Sequence, residues 1–393
     1  MERVPHATYA TTTPERALLV GVDVTERSDN LRHWNAQASL DELEMLAETA
    51  GAVPVARVLQ RLKHPDRRSY IGKGKLAELV DARESLGYTV AIFDDELTPA
   101  QQRVLERALG LKVIDRTALI LDIFAQRART REGALQVALA QHEYLLPRLA
   151  GQWGHLERME GAIGARGPGE TQLETDRRLV RAQIKRLKGE IEQVKRHRLR
   201  YRRRRRRNGV PVVALVGYTN AGKSTLMNAL TGAEVRAHDR LFETLDPVTR
   251  RTALRDGRSL LLTDTVGFIE KLPTQLVAAF RATLEELNEA ELLLHVVDIA
   301  HPDAAEQSQT VENTLVDLGL SERPILTLLN KADRIDGESN ETGPSERVRQ
   351  FAAQVQEDRP QTLLISAAKH WGIDELRSRI GAMLEEISLR CEE

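Results

Sequence analysis

Cysteine is almost missing: in 393 residues the only thiol is Cys391. One thiol cannot close an internal disulfide, and without clustered partners it cannot build a zinc site, so a disulfide-stapled fold and a structural zinc module are both excluded. Long apolar runs are missing too. No stretch approaches the roughly 20 residues that a membrane helix needs. The N-terminus, with Glu2 and Glu15 and no apolar core, does not read as a signal peptide. The expected location is therefore the cytoplasm. Net charge is nearly absent as well, at -1, but the balance hides segregation. Arginine runs without interruption from Arg202 to Arg207, and local charge carries the information here.

What the chain does have is a strand running straight into a glycine loop. Val212–Val216 is apolar, and Gly217-Tyr218-Thr219-Asn220-Ala221-Gly222-Lys223-Ser224 follows with P-loop spacing. Backbone N–H groups can close around a polyphosphate only where glycines leave room. Lys223 then reaches the β- and γ-phosphates, and the Ser224 hydroxyl can ligate Mg²⁺. Helix formers from Leu226 onward put the phosphates at a helix N-terminus.

The N-terminal third alternates strand and helix. Strands are expected at 17–24, 53–59, 89–93 and 111–114. A capping box at Ser39/Glu42 is expected to open a helix that Gly51 closes, another helix covers 75–85, and a second capping box with proline lies at Thr98-Pro99-Ala100-Gln101. That alternation implies a small parallel sheet with right-handed crossovers. Gly72-Lys73-Gly74-Lys75 lacks P-loop spacing and reads more readily as a solvated basic turn than as a phosphate contact.

The middle is helical. In its second long helix, expected from about Thr171 to Tyr201, Val180, Ile184, Leu187, Ile191 and Val194 form an a/d seam. Its nearest partner is the preceding helix, with Leu135, Leu139, Leu146 and Leu149, returning as an antiparallel hairpin. The connection at 151–170 is rich in glycine and carries Trp153, Arg158 and Arg166, a composition suited to close approach to nucleic acid. A plain mobile loop is the alternative. Lys195 to Arg207 adds a dense positive field, read as a nucleic-acid contact in preference to a solvated linker.

Downstream, Asp256-Gly257 signals a hairpin. Its second strand ends at Asp264-Thr265-Val266-Gly267, which offers a carboxylate toward the metal and a glycine N–H toward the γ-phosphate. Ile325–Leu329 delivers Asn330-Lys331-Ala332-Asp333, where Asp333 can accept the two N–H donors on a guanine edge. Ser366-Ala367-Ala368 would sit beside the base. Phe242-Glu243-Thr244-Leu245-Asp246 lies where a γ-phosphate-sensing loop belongs, with Thr244 as second Mg²⁺ ligand in preference to Thr249, which should be held in the strand. In this order, each at a strand end, the motifs imply a GTP-binding domain. The expected division is 1–116, an α/β domain; 117–208, a helical hairpin with glycine-rich tip and basic linker; and 209–393, a Ras-like α/β nucleotide domain.

Beyond these motifs, Tyr70-Ile71-Gly72-Lys73-Gly74-Lys75, Asp115-Arg116-Thr117, Ile123–Ala128, Tyr144–Leu149 and Gly164-Ala165-Arg166-Gly167-Pro168-Gly169-Glu170 together resemble the HflX family, among the translation-factor-related GTPases. The resemblance spans nearly the whole chain. It implies a cytoplasmic GTPase, expected as a monomer, that binds GTP and GDP and the large ribosomal subunit with its rRNA. The hairpin tip would reach toward the peptidyl-transferase region in ribosome splitting, rescue or assembly. Some members carry a further domain after the nucleotide domain, whereas this sequence ends shortly after its last expected helix. A non-catalytic RNA adaptor stabilised by GTP is the alternative reading.

One expected group is absent. Ras-like enzymes orient the attacking water with a glutamine directly after Asp-x-x-Gly, and here that position is Phe268. Hydrolysis by the chain alone should be slow. Lys223, Thr244, Gly267 and Asn220 are the candidate catalytic residues, and two sources remain for the missing group: the ribosome, or K⁺ held by Asn220, which resembles the cation-binding asparagine of potassium-stimulated GTPases.

Overall fold

The computed structural model describes residues 14–25, 35–149, 168–206, 210–232, 241–254, 256–272, 287–335 and 344–392. The chain divides into two compact units, Met1–Ile123 and Phe124–Glu393.

The first unit is a four-stranded sheet in the order β2-β1-β3-β4. Its strands are β1 (Arg16–Val24), β2 (Val53–Leu62), β3 (Val90–Phe93) and β4 (Lys112–Asp115), and every pairing is parallel. The crossovers carry α1 (Ala36–Thr49), α2 (Lys73–Asp81), α3 (Arg83–Leu86) and α4 (Pro99–Leu109). Two-sided burial explains the unbroken apolar run of β1, whose Ala17 to Val20 are fully buried. The second capping box forms as expected, Thr98 and Gln101 bonding each other's backbone with Pro99 at the first helical position. The first does not. Asn35 caps α1 through its side chain, one turn earlier than the Ser39/Glu42 pattern implied. Ser39 and Glu42 lie inside the helix and turn inward: Ser39 Oγ donates to Asp94 Oδ2 at 2.6 Å, and Glu42 pairs with the buried Arg116. The Ser-x-x-Glu spacing fits an interior ion cluster as well as a cap, and burial decides between them.

The second unit begins in the helix α5 (Arg116–Arg127), followed by α6 (Arg131–Leu145) and α7 (Pro168–Arg206). Leu139, Leu187 and Ile191 form the buried centre of the α6–α7 contact, with Leu135 and Ile184 packed against them, which places the middle of the expected heptad seam against its expected partner. The α7 helix runs through Arg206, so the arginines expected in a linker continue the helix. Their side chains and Arg207 lie outside the described residues, as does the glycine-rich stretch 150–167.

Beyond α7 comes a six-stranded sheet in the order β10-β9-β8-β5-β7-β6. It comprises β5 (Val212–Gly217), β6 (Val248–Ala253), β7 (Ser259–Asp264), β8 (Leu292–Asp298), β9 (Ile325–Asn330) and β10 (Thr362–Leu364), with α8 (Lys223–Thr231), α9 (Ala304–Asp317), α10 (Glu346–Asp358) and α11 (Ile373–Glu392) around it. Only β6–β7 pair antiparallel, across the Asp256-Gly257 turn where Gly257 takes φ 83°. Leu215, Leu226, Leu262, Leu294 and Leu328 are at the centre of the core, and α11 adds Ile373, Leu376, Ile380 and Met383 to it. The β5, β7, β8 and β9 strands point their C-terminal ends at one edge, where loops of a parallel sheet collect ligands.

Candidate active site

The glycine loop leaves β5 at Gly217 and enters α8 at Lys223. Gly222 takes φ 94°, a left-handed conformation that suits glycine. Asn220, at φ 60°, is a non-glycine residue in the same region, one that asparagine tolerates. Lys223 is buried, and its Nζ donates to the Gly217 carbonyl at 3.0 Å and the Tyr218 carbonyl at 2.7 Å. Burial pushes its pKa down to about 8, with the Asp264 charge opposing that shift. The lysine therefore sits curled over its own loop.

Three oxygens from three separate segments converge beside it. Ser224 Oγ donates to Asp264 Oδ2 at 2.8 Å, Thr244 Oγ1 donates to the same atom at 3.0 Å, and the two hydroxyls are 3.0 Å apart. The other Asp264 oxygen, Oδ1, is buried and has no hydrogen-bond partner among the described residues. Burial raises the Asp264 pKa while Lys223 and the two hydroxyls pull it back. Two hydroxyls on one carboxylate with an unused buried acceptor form a hard-oxygen donor set that fits Mg²⁺, bound directly by the hydroxyls or through water. Thr249, the competing threonine, is bonded to Thr263 across the β6–β7 pair at 3.0 Å.

Gly267 lies against the glycine loop. A Cβ there would fall 2.7 Å from Thr219 Cα and 2.9 Å from Lys223 Nζ, so only glycine fits this close approach. Phe268 is pinned next to it: its N–H donates to the Gly217 carbonyl at 3.1 Å and its carbonyl accepts from Thr219 N–H at 2.7 Å, and its ring is buried. The position that holds a water-orienting glutamine in Ras-like enzymes is thus an extension of the sheet, with its side chain in the core. Tyr218 adds a further tie, its hydroxyl accepting the Glu270 N–H at 2.8 Å.

One pocket is lined by Thr219, Asn220, Gly222, Lys223 and Ser224 from the glycine loop, Phe242, Glu243 and Thr244 from the segment before β6, and Thr265 and Gly267 after β7. Leu245 and Asp246 belong to the same sequence run but point elsewhere: Leu245 is buried, and the Asp246 carboxylate accepts from Arg129 N–H and Thr130 N–H, each at 2.8 Å. Tyr218, Ala221 and Val266 are buried behind the loops.

The other motifs close a second end of the site. Asn330 Nδ2 donates to the Ala221 carbonyl at 2.8 Å while its Oδ1 accepts from Ala367 N–H at 3.0 Å, so one side chain ties the glycine loop to both base-side motifs. Ser366 Oγ donates to Asp333 Oδ1 at 2.5 Å. Lys331, at φ 64°, pairs with Asp298 at 2.7 Å. Ala332 is buried beneath them, and Lys369 N–H bonds Ser366 Oγ at 3.1 Å to complete the turn that contains Ala368. Asp298, at the end of β8, carried no motif signal in the sequence; its position at a strand terminus beside the site was the available cue.

Profiles of known families cover most of the chain. One described as GTP-binding GTPase N-terminal matches residues 37–125, one described as GTP-binding GTPase middle region matches 127–205, and one described as 50S ribosome-binding GTPase matches 212–331. The GTPase HflX of Caldanaerobacter subterraneus is 51% identical over 322 residues, which are 82% of this chain and 73% of that protein. The chain belongs to the HflX family of GTPases. The Escherichia coli GTPase HflX is 48% identical over 322 residues, 82% of this chain and 74% of its own. A crystal structure of the protein SsGBP with GDP superposes with a TM-score of 0.51 at 26% identity, covering 95% of this chain and 99% of that one. As an HflX-family enzyme the chain binds GTP and hydrolyses it, which sets aside the non-catalytic adaptor, and the family uses Mg²⁺ with its nucleotide. Among the described residues no helix is long and apolar enough to cross a membrane.

Proposed function

We propose that this GTPase acts in the cytoplasm, as a monomer, on the large ribosomal subunit and its rRNA, in splitting, rescue or assembly of ribosomes. Its working parts are residues 1–116, 117–208 and 209–393. Phe268 carries the reading: a complete phosphate site whose water-orienting position is fixed in the sheet should turn over slowly until a partner completes it. The match to the 50S ribosome-binding GTPase profile supports a ribosomal partner. The basic end of α7, leading into β5, and the stretch 151–170 supply positive charge and glycine for rRNA contact.

In the reaction, water attacks the γ-phosphorus, the bond to the β,γ-bridging oxygen breaks, and GDP leaves with the electron pair while phosphate and a proton are released. Gly217 to Ser224 hold the phosphates, Lys223 places its charge on the β- and γ-oxygens, and the Gly267 N–H faces the γ-phosphate. Ser224 and Thr244 would hold Mg²⁺, with Asp264 behind them, and the chemistry such an ion supplies is neutralisation of charge on the phosphate oxygens. Asn330 and Asp333 select guanine, with Ser366 to Ala368 beside it.

Multiple-turnover hydrolysis with and without purified large subunits tests the reading. Stimulation by the subunits is expected, and an unchanged rate contradicts it. Replacing Arg202 to Arg207 with neutral residues should weaken binding to the subunit and flatten its salt dependence. A second source of the missing charge is K⁺ at Asn220. The left-handed backbone at Asn220 is itself reason enough for asparagine, so the rates decide: turnover in K⁺ against Na⁺ at equal ionic strength, with Asn220→Ala as control, should differ if the cation contributes and match if the ribosome is the sole source.

A further inference from the structure

Thr244 is held from both sides by contacts to the helices that precede the nucleotide domain. Two residues before it, Phe242 is buried at φ 55°. Its N–H donates to Thr219 Oγ1 at 3.1 Å, and its ring meets Phe124 of α5 edge to face, with centroids 4.6 Å apart at 85°. Two residues after it, the Asp246 carboxylate sits on the N-terminus of α6. Oδ2 accepts from Arg129 N–H and Thr130 N–H at 2.8 Å each, and Oδ1 accepts from the Thr130 hydroxyl. Thr130 is the N-cap of α6 and its Oγ1 in turn accepts Gly133 N–H at 3.0 Å. The carboxylate thus lies where a helix N-terminus favours negative charge, held by three donors from a different part of the chain.

The fit depends on a missing side chain in α6. A Cβ on Gly133 would overlap Asp246 Oδ1 and come within 3.4 Å of Asp246 Cγ. Glycine inside a helix ordinarily weakens it relative to alanine, so α6 carries at this position a residue that suits the aspartate better than it suits the helix.

We infer that Asp246 is a positioning residue for GTP hydrolysis: anchored on α6, it holds Thr244 where that hydroxyl meets Ser224 and Asp264. The inference rests on the reading of Thr244 as the Mg²⁺ and γ-phosphate sensor. It makes the helical middle part of the enzyme a component of the hydrolytic site, since any movement of the α6 N-terminus relative to β5 and β7 is passed to Thr244 through two residues of chain.

The test uses the full chain and four variants: Thr244→Ala as reference, Asp246→Ala, Asp246→Asn and Gly133→Ala. Affinities for GDP and for a non-hydrolysable GTP analogue are measured by fluorescence titration, with single-turnover hydrolysis beside them. Thr244→Ala should lose the preference for the GTP analogue. Asp246→Ala and Gly133→Ala should keep GDP affinity within about twofold while hydrolysis falls about tenfold, the scale of losing charge-assisted bonds. Asp246→Asn, which keeps an acceptor oxygen, should recover part of the rate. Gly133→Ala separates positioning from folding, because alanine favours the helix: the GDP form should melt no lower than the parent while the added stability from the GTP analogue shrinks. If Thr244→Ala retains full discrimination, the sensor reading fails and the inference with it. If Thr244→Ala loses discrimination but Gly133→Ala and Asp246→Ala hydrolyse at the parental rate, or lose GDP and analogue binding equally, the sensor stands and the positioning role is overturned.

Discussion

Each of the two sheets, one parallel and one parallel except for β6, buries a cluster of charge at the C-terminal ends of its parallel strands, and the two clusters are built differently. In the N-terminal sheet Arg116, 1% exposed, pairs with Glu42 and with Asp94 at 2.9 Å, and Asp94 also takes the Ser39 hydroxyl. Cation and carboxylates answer one another there. In the nucleotide domain Lys223 is bonded to carbonyls of its own loop, and Asp264 keeps one buried oxygen with no partner among the described residues. The first arrangement holds a sheet to its helices. On the proposed reading, the second offers oxygen acceptors to a cation and an ammonium to phosphates.

The contrast can be broken at either cluster. Arg116→Met should have the largest effect, because it leaves carboxylates buried without their cation; a loss of about 3–5 kcal/mol is expected, visible in denaturant unfolding, and a loss under about 1 kcal/mol would mean the cluster is not what secures the first unit. Lys223→Ala should leave the fold standing yet lower GTP turnover about 10²–10³-fold, as removal of a charge aimed at the reacting phosphate does. Gly267→Ala comes next: its Cβ, 2.7 Å from Thr219 Cα, forces the loops apart at about 1–3 kcal/mol. Affinity for a GTP analogue should fall at least about tenfold while GDP, which lacks the γ-phosphate, binds nearly as before. Equal loss of both would contradict that.

The smallest effect sharpens the comparison by pH. Lys223 has its pKa pushed down to about 8 by burial, and bound phosphates would stabilise its charged form and raise that value. The nucleotide complex therefore holds a proton that the free protein loses above pH 8. GTP affinity should be full below that pH and decline above it by up to about tenfold per unit. A titration of GTP affinity from pH 7 to 9.5 checks the sign, and rising affinity would contradict it.

The loops that line the pocket were legible because their constraints are local. Glycines must stand where the backbone closes on phosphate, and Gly217 to Ser224 and Asp264 to Gly267 have that spacing whatever surrounds them. The sheets were legible for a similar reason, since buried parallel strands leave apolar runs such as Ala17–Val20. What the sequence hid is long-range pairing. Ser39 and Glu42 have the spacing of a cap, and nothing local shows that Arg116, 74 residues from Glu42, draws them inward. Asp246 stands beside Thr244 in the chain, yet its partners are 116 and 117 residues away. Gly133 stands inside α6 for the same kind of reason, since the carboxylate it accommodates comes from a distant part of the chain.

We propose that the nucleotide, sensed through Thr244, also sets whether the protein engages the large ribosomal subunit. Sedimentation of the full chain with purified large subunits, in a non-hydrolysable GTP analogue and in GDP, measures it directly. The expected result is co-sedimentation that is strong with the analogue, weak with GDP, and equal in the two for Thr244→Ala; equal co-sedimentation of the parental chain in both nucleotides, or none in either, would contradict it.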